Sequence, residues 1–217
     1  MAVKALLFDL DGTILDTLDD LCDSVNYALS AHGHPTRTKR EIRAILGNGV
    51  INLITRSLPE GVSNEQFEEC LATYKEHYEI NKTNKTAPYK GIPEALSALR
   101  AAGYKIAIVS NKHDEAAQGL YKLFFSELAD FAIGNTAEIP KKPEPDMVFA
   151  AAKKLGVSLD EIVFVGDSEV DFETAQNAGV PCISVTWGFR DEDVLRKAGA
   201  DCIINSPNEL VATVKNM

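Results

Sequence analysis

Val3-Lys4-Ala5-Leu6-Leu7-Phe8-Asp9-Leu10-Asp11-Gly12-Thr13 is the stretch on which the fold turns. Its first half is an almost unbroken apolar run of strand length, as expected for a central parallel strand buried on both faces. Lys4 and Asp9 interrupt the run and no cleavage-site pattern follows, so it reads as a strand and not as a leader or a membrane span. Asp9 and Asp11 stand at i and i+2 just where the apolar run stops, on one side of an extended backbone. Gly12 lets the chain turn sharply out of the strand. Open α/β sheets bind ligands at the carboxyl ends of their strands, where this acidic turn is placed. Two like charges so close need a cation or a shared proton to offset them.

Downstream of Thr13 the apolar spacing becomes helical. Leu18, Leu21, Cys22, Val25, Ala28 and Leu29 share a face between Asp16 and Ala31. Further helical stretches are expected at Lys39–Leu46, from Val50 to Leu58, and at Ser63–Ile80, the last opened by a Ser63/Gln66 capping pair. Gly47-Asn48-Gly49 breaks the second from the third. Residues 16–86 therefore read as an inserted all-helical domain without a strand, joined through linkers near Ile14–Thr17 and Asn81–Tyr89. Residues 1–15 and 87–217 form the other domain. From Gly91 onward strands and helices alternate. The expected strands are Lys105–Val109, Asp130–Ile133, Ile162–Val165, Pro181–Val185 and Asp201–Ile204. That rhythm predicts an α/β fold, a Rossmann-like and mostly parallel sheet with helices on both faces.

Composition narrows the function. Charged residues are 25% and hydrophobic residues 45% of the 217, with a net charge of −10. Nucleic acid and anionic membrane are thereby disfavoured as partners. A small anion remains compatible if a metal ion or a few basic residues reverse the field locally. Cys22, Cys70, Cys182 and Cys202 form no Cys-x-x-Cys pair and read as reduced packing residues of a cytoplasmic protein.

Polar residues gather at the later segment ends. Ser110-Asn111 closes the Ile106–Val109 strand, offering a hydroxyl and backbone amides at a helix start, which suits a phosphate oxygen. Lys142 lies in Lys-Pro-x-Pro, where two prolines restrict the backbone around it. Asp167 and Asp171 follow a buried strand and share a face at i and i+4, although helix N-termini attract acidic residues in any case.

Taken together, these segments resemble the haloacid dehalogenase-like hydrolase superfamily at all four of its motifs: Asp9 to Thr13, Ser110, Lys142, and Gly166 to Asp171. The helical insert is similar to the family's first type of cap. Ser110-Asn111-Lys112, Lys142-Pro143-x-Pro145, Gly166-Asp167-Ser168-x-x-Asp171 and Trp187-Gly188-Phe189-Arg190 resemble the phosphoglycolate phosphatase branch more narrowly. The resemblance implies a phosphomonoester hydrolase in which Asp9 attacks phosphorus and Asp11 serves first as acid, then as base. Lys142, Ser110, Asn111 and Thr13 would hold the phosphoryl group. Mg²⁺ would sit among Asp9, the Asp11 main-chain carbonyl, Asp167 and Asp171. The substrate would be a small phosphorylated metabolite, 2-phosphoglycolate first, taken by a monomer or homodimer. Gly47, Asn48, Gly49 and Arg56 of the insert, with Arg190 of the core, are the candidates for substrate selection.

Other readings of the same residues are a pyrophosphatase, a β-phosphoglucomutase-like enzyme, and a catalytically idle phosphate-binding module. A dehalogenase would need neither the acid Asp11 nor a metal-binding Asp167. The idle module would be marked by loss of Asp9 or Asp11, and both are present.

Overall fold

The computed structural model describes residues 2–217. The chain divides into two compact units, Met1–Leu15 with Pro88–Met217, and Asp16–Ala87. In chain order the elements are β1 (Ala5–Phe8), β2 (Leu15–Asp16), α1 (Leu18–Ala31), α2 (Lys39–Ile45), α3 (Val50–Ser57) and α4 (Asn64–Asn81). Then come β3 (Ala87–Pro88), α5 (Ile92–Ala101), β4 (Lys105–His113), α6 (Asp114–Phe124), β5 (Phe131–Asn135) and α7 (Asp146–Leu155). The chain finishes with β6 (Ile162–Gly166), α8 (Glu169–Ala178), β7 (Cys182–Val185), α9 (Glu192–Ala198), β8 (Ile203–Ile204) and α10 (Leu210–Lys215).

The larger unit is a Rossmann-like six-stranded sheet in the order β5-β4-β1-β6-β7-β8. Each pairing of neighbouring strands is parallel. β1 lies inside it because its residues are apolar on both faces. Leu6 and Phe8 join one core with Ile92 and Leu96 of α5, Leu120 of α6 and Leu210 of α10. Ala5 and Leu7 join the other with Met147 of α7, Phe172 of α8 and Leu195 of α9. Helices thus cover both faces, and the carboxyl ends of β1, β4 and β6 come out side by side.

The smaller unit holds α1 to α4. Thr38 with Glu41 and Ser63 with Gln66 form capping boxes at α2 and α4. Asp20 of α1 is buried and accepts from the main-chain N–H groups of Lys85 and Thr86 (2.8 Å for Thr86), which fastens the returning chain to the first helix. Among the described residues, no helix is long and apolar enough to cross a membrane.

Two expectations need correction. The segments read as linkers pair as a two-stranded ribbon of β2 and β3, and Asp16, counted in the strand-free insert, is the last residue of β2. Such short strands carry no readable period. The strand expected to stop at Val109 continues as β4 to His113, with a register shift against β5 between those residues. Ser110 therefore lies within a strand and not at a helix start; α6 begins only at Asp114.

Candidate active site

The site is built from strand ends. The Asp9 N–H donates to Val165 O at 2.9 Å, extending the β1–β6 ladder by one residue. Leu10 continues the Leu6–Phe8 alternation into the same core, leaving Asp9 and Asp11 on the opposite side. Gly12 turns the chain at φ 90°, a conformation that strains any residue with a Cβ, and its N–H closes the turn on Leu15 O.

Each of the two paired carboxylates has its own lysine. Lys142 Nζ lies 2.6 Å from Asp9 Oδ1 and 2.7 Å from Asp171 Oδ1, with only 2% of its side chain exposed. Lys112 Nζ instead grips both oxygens of Asp11, at 2.9 and 3.0 Å. Lys142 is fixed by its backbone: its N–H donates to Asn111 Oδ1 at 2.8 Å, and Asn111 Nδ2 donates to its carbonyl at 3.0 Å. Asn111, expected to hold a phosphoryl group, thus has its carboxamide on the main chain of the lysine. Ser110 is buried, and its Oγ accepts from the Lys112 N–H at 3.2 Å.

The fourth segment end supplies Asp167 and Asp171. Asp167 Oδ1 accepts from the Thr13 hydroxyl at 3.1 Å, and Oδ2 from the Phe189 N–H at 2.6 Å. The Thr13 side chain, expected near a phosphoryl oxygen, is therefore bonded to a carboxylate. Gly188 makes this approach possible, since a Cβ there would lie 2.2 Å from Gly12 O and 2.4 Å from Asp167 Oδ2. Asp171 Oδ2 accepts from the Ser168 N–H at 3.1 Å and the Ser168 hydroxyl at 2.6 Å, closing the first turn of α8. Asp171 is thus a helix-capping residue and a partner of Lys142 at once.

One oxygen each from Asp9, Asp167 and Asp171 lies within 4.8 Å of the others. Two unit charges at that separation repel by about 3 kcal/mol at an effective dielectric constant of about 20. One ammonium among three carboxylates leaves an excess of negative charge, and the titration of the site reflects it. Burial lifts the Asp9 carboxyl well above the usual carboxylate range; Lys142 opposes this, and Asp171 and Asp167 add to it. Burial, then Asp171, pushes Asp167 up to about 7 against the hydrogen bonds from Phe189 and Thr13. Burial also disfavours the Lys142 charge, but Asp171 and Asp9 outweigh it and raise that pKa above the ordinary lysine value. Three converging hard oxygen donors with surplus negative charge fit a divalent cation.

Motif reading quotes Lys112 within Ser110-Asn111-Lys112 but assigns it no role, although β4 carries the signal for one. In an extended segment Ser110 and Lys112 share a side, so a site-facing serine brings the lysine with it. Arg190, a candidate for substrate selection, is buried and bidentate with Glu169, at 2.6 Å through Nε and 3.0 Å through Nη2. Gly47, Asn48 and Gly49 separate α2 from α3 in the helical unit, and Arg56 is exposed on α3.

Comparison with known proteins gives the arrangement a family. The model of the haloacid dehalogenase-like hydrolases matches residues 6–185. The phosphoglycolate phosphatase of Aquifex aeolicus is 30% identical over 216 residues, covering 99% of this chain and 98% of its own. The N-acetylmuramic acid 6-phosphate phosphatase of Pseudomonas aeruginosa is 29% identical, covering 97% of this chain and 94% of its own. A solved structure from Lactobacillus delbrueckii, put forward as a phosphoglycolate phosphatase, superposes with a TM-score of 0.95 at 36% identity over the whole of both chains. With its motifs at the carboxyl ends of a parallel sheet, the chain belongs to the haloacid dehalogenase-like hydrolase family, as one of its phosphatases.

Proposed function

We propose that the protein is a Mg²⁺-dependent phosphomonoester hydrolase that works through an aspartyl-phosphate on Asp9 and takes a small anionic metabolite, with 2-phosphoglycolate as the leading substrate. The observation that carries this is the separation of two neighbouring carboxylates onto two lysines, Asp9 onto Lys142 and Asp11 onto Lys112. Two chemically alike side chains so divided can take different tasks.

Asp9 attacks phosphorus, forming a bond from its carboxylate oxygen while the bond to the alkoxide breaks. Asp11 gives its proton to the departing oxygen. It then takes a proton from the water that attacks the phosphoryl group, releasing inorganic phosphate and restoring Asp9. Lys142, held on Asp9 in the resting site, would compensate charge on the phosphoryl oxygens together with the Ser110 hydroxyl. Asn111 positions Lys142, and Ser168 positions Asp171. Asp9, the Asp11 carbonyl and Asp167 would hold the cation, with Asp171 as a further ligand directly or through water. When bound, it would let an anionic nucleophile meet an anionic phosphate.

The substrate class draws on the relatives. Phosphoglycolate and N-acetylmuramic acid 6-phosphate, the compounds in their names, are both phosphomonoesters of a carboxylic acid. The decisive measurement compares kcat/KM for 2-phosphoglycolate, N-acetylmuramic acid 6-phosphate, pyrophosphate and the glucose phosphates at one Mg²⁺ concentration. We expect 2-phosphoglycolate to lead. A value more than tenfold below another substrate, about 1.4 kcal/mol in transition-state binding, overturns the substrate assignment and leaves the phosphatase standing.

A further inference from the structure

We infer that Lys112 reads a second anionic group on the substrate, and that moving onto this group releases Asp11 for its work on the leaving oxygen. This rests on the phosphatase reading above. In the resting site Lys112 Nζ faces both oxygens of Asp11 at 2.9 and 3.0 Å, with the lysine side chain only 8% exposed. Neither carboxylate oxygen can turn fully to a leaving group while that grip persists. A substrate carboxylate is the same partner in chemistry and charge, so one can replace the other at little net loss, and the freed Asp11 takes from solvent the proton it gives to the leaving oxygen.

The position suits the exchange. Asp11 must reach the bridging oxygen of the ester, and a cation against Asp11 stands on that leaving-group side. In 2-phosphoglycolate the carboxyl carbon is one methylene from the bridging oxygen, within reach of an ammonium already in contact with Asp11. The other core cations near the motifs are held differently: Lys142 on Asp9 and Asp171, Arg190 in a two-point bond to Glu169. A lysine is apt here, because a compact ammonium on a flexible stem changes partners more readily than a guanidinium fork. The backbone beneath it is irregular, since the register of β4 shifts between Val109 and His113. Within this segment the Asn111 side chain serves Lys142 and the Lys112 side chain serves Asp11.

The test measures kcat and KM for 2-phosphoglycolate and for ethyl phosphate, which lacks the carboxylate, in wild type, Lys112→Met and Lys112→Arg at fixed Mg²⁺. Wild type should prefer 2-phosphoglycolate; Lys112→Met should lose rate on 2-phosphoglycolate, whereas ethyl phosphate, which has no carboxylate to draw the lysine off Asp11, should lose little or nothing. The preference itself should fall by about tenfold or more, the worth of one charged contact, with the excess loss in KM for 2-phosphoglycolate. Lys112→Arg, which keeps the charge, should retain most of the preference and serves alone if the methionine variant does not fold. Equal losses on both esters, or a wild type indifferent to the carboxylate, overturn the inference and leave the phosphatase intact. A wild type that hydrolyses neither ester overturns both.

Discussion

Asp9 and Asp11 are the same side chain two residues apart, yet each meets its own cation and only Asp9 is buried in the three-carboxylate cluster. That difference makes them separable by experiment. Asp9→Asn keeps the shape that packs against Lys142 and removes the nucleophile, so turnover should vanish while the thermal melt stays cooperative. Asp11→Asn should leave a trace, because the alkoxide then departs without a proton. Steady-state rates above about a tenth of wild type in either variant would correspond to less than ~1.4 kcal/mol and contradict the assigned role. Gly188 supports the same centre from the back. Gly188→Ala drives a methyl group into Asp167 and the Gly12 carbonyl, so the Mg²⁺ concentration for half-maximal rate should rise by about tenfold or more, as expected for loss of outer-shell support. An unchanged Mg²⁺ titration would show that Asp167 does not set the affinity. At this scale Asp9, Asp11 and Asp167 were legible because charge at the end of an apolar strand is conspicuous, and Lys142 because two prolines bracket it. The partners of Thr13 and Asn111 were not. A hydroxyl or an amide has several uses, and only tertiary placement decided that these two hold Asp167 and Lys142.

Elements show where pattern reading works and where it stops. α1, α2, α3 and α4 lie where apolar spacing puts them to within about two residues, the usual blur of helix ends. β4 ran four residues past its apolar core because Ser110-Asn111-Lys112-His113 looks like a polar turn. Only pairing with its neighbours keeps that segment extended. The start of α8 combines a local and a catalytic duty. Ser168 closes the first turn on Asp171, and Asp171 in turn holds Lys142. Ser168→Ala should therefore lower stability by about 1 kcal/mol, the worth of a cap. For a chain of this length that is a fall of roughly 2–4 °C in Tm. The loss of kcat should be larger than an intact fold would suggest, and Ser168→Thr should restore much of it. A calorimetric scan beside steady-state kinetics separates the two, and a stability loss without a rate loss would confine Ser168 to the cap.

For the whole molecule, the buried acidic centre links stability to pH. Asp9 and Asp167 have carboxyls raised in the fold, Asp167 from 3.8 to about 7, so the folded state holds protons that the unfolded chain has released. The contribution of Asp167 is complete below its unfolded value of 3.8 and is lost as pH rises through about 7, and that of Asp9 is lost in the same direction. With chelator, Tm should fall between pH 5 and 8; with Mg²⁺ the gap between the two curves should widen over the same range. A constant gap would argue against cation binding at these carboxylates. The order of strands bears on how the molecule is made. β1 lies between β4 and β6, both of which follow it far along the chain. At ribosomal speeds of about 5–20 residues per second, roughly 10–30 s separate Phe8 from its second neighbour. During that interval Ala5–Phe8 is an apolar strand with an open edge, a liability for association with other nascent chains. Asp9 meets Lys142 and Asp167 only after most of the polypeptide has been synthesised. Truncated translation products that end before β6 should accordingly be sticky and inert.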